Sequence, residues 1–112
     1  MQIFHNPRCR KSRETLAILN DKGVEADIFL YLEEKLSKKL LKTTLKKLGL
    51  TAEQIIRKGE KVYKENYKGR TMSEEDWIEA MIEHPKLIER PIVIKGEKAV
   101  LGRPPENVLS LL

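Results

Sequence analysis

Short runs dense in branched and aromatic residues alternate along the chain with longer stretches in which leucine or isoleucine recurs every third or fourth position. Such a pattern predicts strands and helices in turn. MQIFH (1–5) carries Ile3 and Phe4 and reads as a short first strand. In RKSRETLAILNDKG, Leu16, Ile18 and Leu19 supply an apolar face and Gly23 a stop, which predicts a helix at about 10–22. ADIFLYL (26–32) reads as a buried second strand. Strand, helix and strand in so short a span make a βαβ unit, with parallel strands and a right-handed crossover.

The middle is helical. Ser37 is an N-cap, Leu36, Leu40, Leu41, Leu45 and Leu48 follow helical spacing, and Gly49 closes the segment. Its lysines make it basic and amphipathic, a pattern met in membrane-surface helices but far more common in helices that pack leucines inward. Thr51 caps a short helix, AEQIIRKG, and KVYKENYKG is polar and partly helical or looped. Ser73 with Glu75 and Asp76 opens SEEDWIEAMIEH, placing Trp77, Ile78, Met81 and Ile82 inward, and Pro85 ends it. IVI (92–94) and AVL (99–101) form a hairpin about KGEK, and RPPENVLSLL closes the chain as a helix with proline in its first turn. The order β-α-β, helices, β-β-α predicts an α/β domain over 1–112, with a helical insertion at about 35–88.

Composition narrows the function. A chain of 112 residues has room for one modest core. Its apolar runs are too short to span a bilayer, and the N-terminus lacks the charged and apolar regions of a secretory signal. The net charge is +5, but 22 cations are interleaved with 17 acids, and no basic stripe carries aromatics. That argues against a specific nucleic-acid binder and for a mixed, solvated surface. The single cysteine excludes an internal disulfide and fits a reducing cytoplasm.

That cysteine is the main candidate for chemistry. Cys9 lies in HNPRCRKSR, behind an Asn6-Pro7 turn, at the predicted start of the first helix, with Arg8, Arg10, Lys11 and Arg13 around it. Free N–H groups at a helix N-terminus and nearby cations both favour thiolate over thiol. A cation at ~5 Å lowers a thiol by about one to two pKa units in a surface-like dielectric. Ser12 stands one turn on, where its hydroxyl could reach the sulfur. The blander alternative is a small buried apolar residue, but Pro-Arg before and Arg-Lys after Cys9 offer nothing to bury it. His5 ends the strand, either tuning the thiol or simply closing the strand. His84, before Pro85, reads as a helix-end residue. One cysteine and two distant histidines give no metal-ligand spacing.

HNPRCRKS, IIRKGE, ERPIVI and LGRPPENV, in this order, resemble the arsenate reductase family of the glutaredoxin-coupled type. The resemblance covers essentially the whole chain. His5, Asn6, Pro7, Cys9 and Ser12 match the thiol motif HNPxCxxS. It implies a thioredoxin-like fold: a mixed four-stranded sheet with helices on both sides and a helical insertion between the βαβ and ββα parts. It also implies that Cys9 attacks arsenate to form a covalent adduct, that glutathione serves as co-substrate, and that glutaredoxin regenerates the enzyme while arsenite leaves. No bound cofactor is implied. By likeness Arg57, Arg90 and Arg103 bind the oxyanion, Pro91 is the cis-proline facing the thiol, and His5, Asn6 and Ser12 tune it. Guanidiniums suit the task, because their planar fork grips tetrahedral oxyanions. Ser12 takes the second place of a CxxC pair, so the resolving thiol must come from outside.

The motif departs from arsenate-reducing members at Arg10 and Lys11, where those carry Gly-Thr. The same superfamily offers two other readings: a glutathione-dependent thiol reductase with another substrate, and a Spx-like regulator that binds RNA polymerase. The regulator usually carries CxxC, which this chain lacks.

Overall fold

The computed structural model describes all 112 residues, Met1–Leu112. They form two compact units: Met1–Lys35 together with Arg90–Leu112, and Leu36–Glu89.

The first unit is an α/β layer pair. Its strands are β1 (Gln2–Phe4), β2 (Asp27–Phe29), β3 (Ile92–Lys95) and β4 (Lys98–Leu101), in the spatial order β2-β1-β3-β4. β1 pairs parallel with β2 and antiparallel with β3, and β3 pairs antiparallel with β4. The sheet is therefore mixed, as expected. α1 (Arg10–Asp21) connects β1 to β2, and a 3₁₀ helix, Pro105–Leu111, ends the chain. Cross-strand register puts Ile3 opposite Val93 and Val93 opposite Val100. These side chains share one sheet face, where Ile3, Leu19, Val93, Val108 and Leu111 form a buried cluster joining the sheet to α1 and the terminal helix. Phe4 and Ile92 alternate to the opposite face, both fully buried. There Phe4 meets Phe29 edge-on at 5.1 Å and stacks on Tyr31 at 6.1 Å between ring centroids.

Two expectations fail here. The second strand is not a buried element: β2 keeps only Asp27–Phe29, it is an edge strand, and Ile28 is 49% exposed. From Leu30 the chain turns instead, with the Glu33 and Glu34 N–H groups donating to the Leu30 carbonyl and the Leu30 N–H donating to Glu34 Oε2. A short apolar run does not distinguish a central strand from an edge. The terminal helix is 3₁₀ rather than α. Its buried residues are Pro105, Val108 and Leu111, the three-residue spacing that lines one face of a 3₁₀ helix.

In the second unit the caps lie where the sequence places them. α2 (Lys38–Leu48) begins at Ser37, whose hydroxyl accepts from Leu40 N–H, and ends at Gly49 with φ 70°. α3 is a short turn of helix, Lys61–Asn66. α4 (Glu74–Glu83) opens with a reciprocal capping box between Ser73 and Asp76 and buries Trp77, Ile78, Ala80 and Met81. Lys38 and Lys42 of α2 pair with Glu75 of α4 at 2.9 and 3.1 Å. The helix expected after Thr51 shrinks to a 3₁₀ turn, Glu53–Ile55. Behind it Ile56 bridges Ile88, and the Arg57 N–H donates to the Leu87 carbonyl at 2.7 Å. No helix is long and apolar enough to cross a membrane.

Candidate active site

β1 delivers the chain directly into the thiol loop. The His5 N–H still belongs to the sheet, donating to the Phe29 carbonyl. Asn6 then turns the backbone: its side-chain Oδ1 accepts from the Arg8 N–H at 3.0 Å, and its carbonyl accepts from the Cys9 N–H at 2.9 Å. Arg13 reaches back from α1 to the Pro7 carbonyl at 3.0 Å, closing the loop over itself. Cys9 emerges as the N-cap of α1, extended at φ −93° and ψ 122°, and partly exposed.

The sulfur makes no close side-chain cap of the kind Ser37 makes. Its surroundings nevertheless favour the thiolate. Partial burial pushes the Cys9 thiol up. Donation from the Ser12 N–H, hydrogen bonding from the Arg90 guanidinium with its positive charge, and the Lys11 N–H together outweigh that, so the thiol is held below its ordinary range. The charge that acts on Cys9 thus comes from Arg90, not from the cations beside it in sequence. Arg10 pairs with Glu14 at 2.9 Å, and Arg13 is engaged with Pro7.

Ser12 also departs from expectation. Ser12 is fully buried, and its hydroxyl lies 2.6 Å from His5 Nδ1 and accepts from the Asn6 N–H at 3.0 Å. It is the Ser12 backbone N–H that serves the sulfur. His5 is held below the ordinary histidine value by burial first and then by the charge of Arg13. The His5 ring thus anchors Ser12, and Ser12 anchors the turn that opens α1.

Two loops of the sheet bring in arginines. The Arg90–Pro91 and Arg103–Pro104 peptides are both cis, and Pro91 is buried at the start of β3. Arg103 follows β4 and donates from Nη1 to the Arg90 carbonyl at 3.1 Å. Cys9, Arg90 and Arg103 are therefore linked within one unit. Arg57 belongs to the other unit, half-buried, with Nη1 3.2 Å from Glu60 Oε1.

Sequence reasoning missed Thr15 and Gly102. Thr15 is fully buried, and its hydroxyl lies 2.9 Å from the Lys11 carbonyl and 3.4 Å from the Gly102 carbonyl. The Gly102 N–H donates to the Pro91 carbonyl at 2.9 Å. A second polar residue at helical spacing from Ser12 on the buried face of α1, and a glycine at a strand end rather than in a turn, are the available signals.

The sequence profile of the ArsC family matches residues 4–111. The arsenate reductase of Haemophilus influenzae is 47% identical over 98% of this chain and 97% of its own length. An Escherichia coli K12 protein of unassigned function, YfgD, is 48% identical over 100% of this chain and 96% of its own. The solved structure of an arsenate reductase from Vibrio cholerae superposes with a TM-score of 0.95 at 46% identity, covering 99% of this chain and 96% of that one.

Proposed function

The chain belongs to the ArsC family, and on that footing we propose that it reduces arsenate to arsenite with Cys9 as the nucleophile. The observation that carries this reading is a thiol at the start of α1 that donors and the Arg90 guanidinium hold below its ordinary range. A thiolate attacks the arsenic of arsenate, a sulfur–arsenic bond forms, and one oxygen leaves as water after protonation. Reduction of As(V) to As(III) needs two electrons, which two thiols supply by becoming one disulfide. This chain has one cysteine. The second thiol is therefore external, with glutathione as the co-substrate and glutaredoxin returning the system to its reduced state.

Arg90, which acts on Cys9, and Arg103, bonded to the Arg90 carbonyl, are the oxyanion ligands of this unit, and Arg57 is assigned to the oxyanion by family likeness alone. Their guanidiniums also offset repulsion between an anionic sulfur and an anionic substrate. Pro91 fixes the strand that follows Arg90, while His5, Asn6 and Ser12 hold the thiol loop in place. A reducing cytoplasm is the compartment in which the lone cysteine stays a thiol.

The test is arsenite formation from arsenate with glutathione and glutaredoxin. The wild type turns over, and Cys9→Ser does not while its circular dichroism stays native. Turnover by Cys9→Ser at the wild-type rate removes the proposal.

A further inference from the structure

Four cations crowd the thiol loop, and the fold accounts for two of them. Arg10 is answered by Glu14 and Arg13 by the Pro7 carbonyl. Arg8 and Lys11 remain exposed, and neither side chain has a protein partner; only their backbone N–H groups are used. Neither side chain contributes to lowering the Cys9 thiol, where Arg90 is the charge that acts.

Helix stability does not explain them either. α1 has no acid in its first turn and places Arg10, Lys11 and Arg13 at the end where a helix prefers negative charge. The same chain follows the preference elsewhere: α4 starts with Glu74, Glu75 and Asp76, and α2 ends with Lys46 and Lys47. Two unpaired cations on either side of the reactive sulfur are thus placed against the local dipole and left open to solvent. An anionic ligand arriving at that sulfur resolves both facts.

We propose that Arg8 and Lys11 are the recognition rim for the thiol that resolves the Cys9 adduct, gripping the carboxylates of the glutathione that the proposed function already calls for. The inference rests on the reading of Cys9 as a nucleophile that an external thiol must release. The reacting oxyanion is served by guanidiniums already linked to the site, Arg90 and Arg103. The incoming thiol must approach a centre made negative by that oxyanion. Charges on the rim steer it there and hold its carboxylates while the sulfur reacts. The two free cations, Arg8 and Lys11, stand one and two residues from Cys9 on a single loop and turn, a footprint suited to a peptide-sized ligand rather than a protein face.

Thiol–disulfide exchange tests this without arsenic, so its failure and that of the arsenate reading are told apart. The Cys9 thiolate bonds one sulfur of a disulfide, the S–S bond breaks, and the other half leaves as a thiolate. The rate constant is measured for oxidised glutathione, whose carboxylates outnumber its amines, and for neutral hydroxyethyl disulfide. The ratio of the two is taken at a pH where Cys9 is equally ionised in each variant. In the wild type the ratio is high at low salt and falls as salt rises. In R8A/K11A it drops on the order of tenfold and loses its salt dependence. In R10A, whose charge Glu14 already answers, it keeps the wild-type value. An unchanged ratio in R8A/K11A overturns the proposal, and so does an equal drop in R10A, which would reveal a bulk charge effect. Slowing confined to an acidic protein disulfide, with the glutathione ratio intact, overturns the small-molecule assignment.

Discussion

Gly102 sits against Thr15 so closely that a Cβ on the glycine would lie 2.5 Å from Thr15 Oγ1 and 2.8 Å from Pro91 Cγ. Three segments meet at this point, and each carries a group of the candidate site: Thr15 is on the helix that Cys9 opens, Pro91 follows Arg90, and Gly102 precedes Arg103. The glycine is needed for space, since its backbone is not in the left-handed region. Gly102→Ala is expected to destabilise the fold by about 1–3 kcal/mol through overpacking. Adding Thr15→Ala should recover part of that loss, because one of the two clashing side chains is gone, while Pro91 remains. A double-mutant cycle from urea unfolding measures the coupling, and simple additivity would show that the two residues do not compete for space.

Arg90→Ala should raise the Cys9 thiol toward its ordinary value, because both a hydrogen bond and a positive charge leave the sulfur. Thiolate absorbance near ~240 nm, followed against pH, gives the midpoint directly. The sign for stability follows. A thiol depressed in the folded state contributes stability above the unfolded value of ~8.5, and that contribution disappears as pH falls through the folded midpoint. Wild type and variant should therefore differ most in alkaline buffer and converge in acid.

His5 predicts an opposite charge change but the same direction of pH dependence. Burial and Arg13 disfavour its protonated form. The unfolded chain takes up that proton first, near pH ~6.5, so stability falls as pH drops from there toward the lowered folded value. His5→Asn removes this dependence. Its unfolding free energy, subtracted from that of the wild type at ~pH 7.5 and ~pH 5, should show the wild type losing ground in acid. A pH-independent difference would mean that His5 is not the group being protonated.

Lysine at Arg103 keeps the charge but loses the fork and the bond from Nη1 to the Arg90 carbonyl. Arg103→Lys, and Arg57→Lys by the same logic of bidentate contact, should raise the KM for arsenate several-fold more than they lower kcat. Steady-state kinetics with saturating glutathione and glutaredoxin read the split, and wild-type constants in both would detach these arginines from the substrate.

Ser73→Ala breaks the capping box at the start of α4. The expected loss is about 0.5–2 kcal/mol, with Cys9 reactivity untouched, as measured by thermal unfolding and alkylation in parallel.

What the sequence revealed was what neighbouring residues decide. Ser37, Gly49 and Ser73 mark helix ends through bonds that close within a few residues, so the boundaries of α2 and α4 were legible. The edge position of β2 and the 3₁₀ winding of Pro105–Leu111 depend on what packs around them, and local pattern does not carry that. The site shows the same division. Cys9 at a helix start was readable. The cation acting on it was not, because Arg10 and Arg13 find partners within their own loop and helix while Arg90 arrives from a distant part of the chain. The partners of the Ser12 hydroxyl are hidden from the sequence for a related reason: only the folded loop brings His5 and the Asn6 N–H to it.

The unit that holds Cys9 is assembled from two stretches far apart in sequence, Met1–Lys35 and Arg90–Leu112. Cys9 is therefore synthesised well before Arg90, and β1 has only β2 to pair with until β3 follows. The backbone donors of α1 are on hand for the sulfur as soon as that helix winds, whereas the guanidinium comes from the later stretch. The sulfhydryl thus gains its reactivity in two instalments, one local and one that waits for the sheet to close.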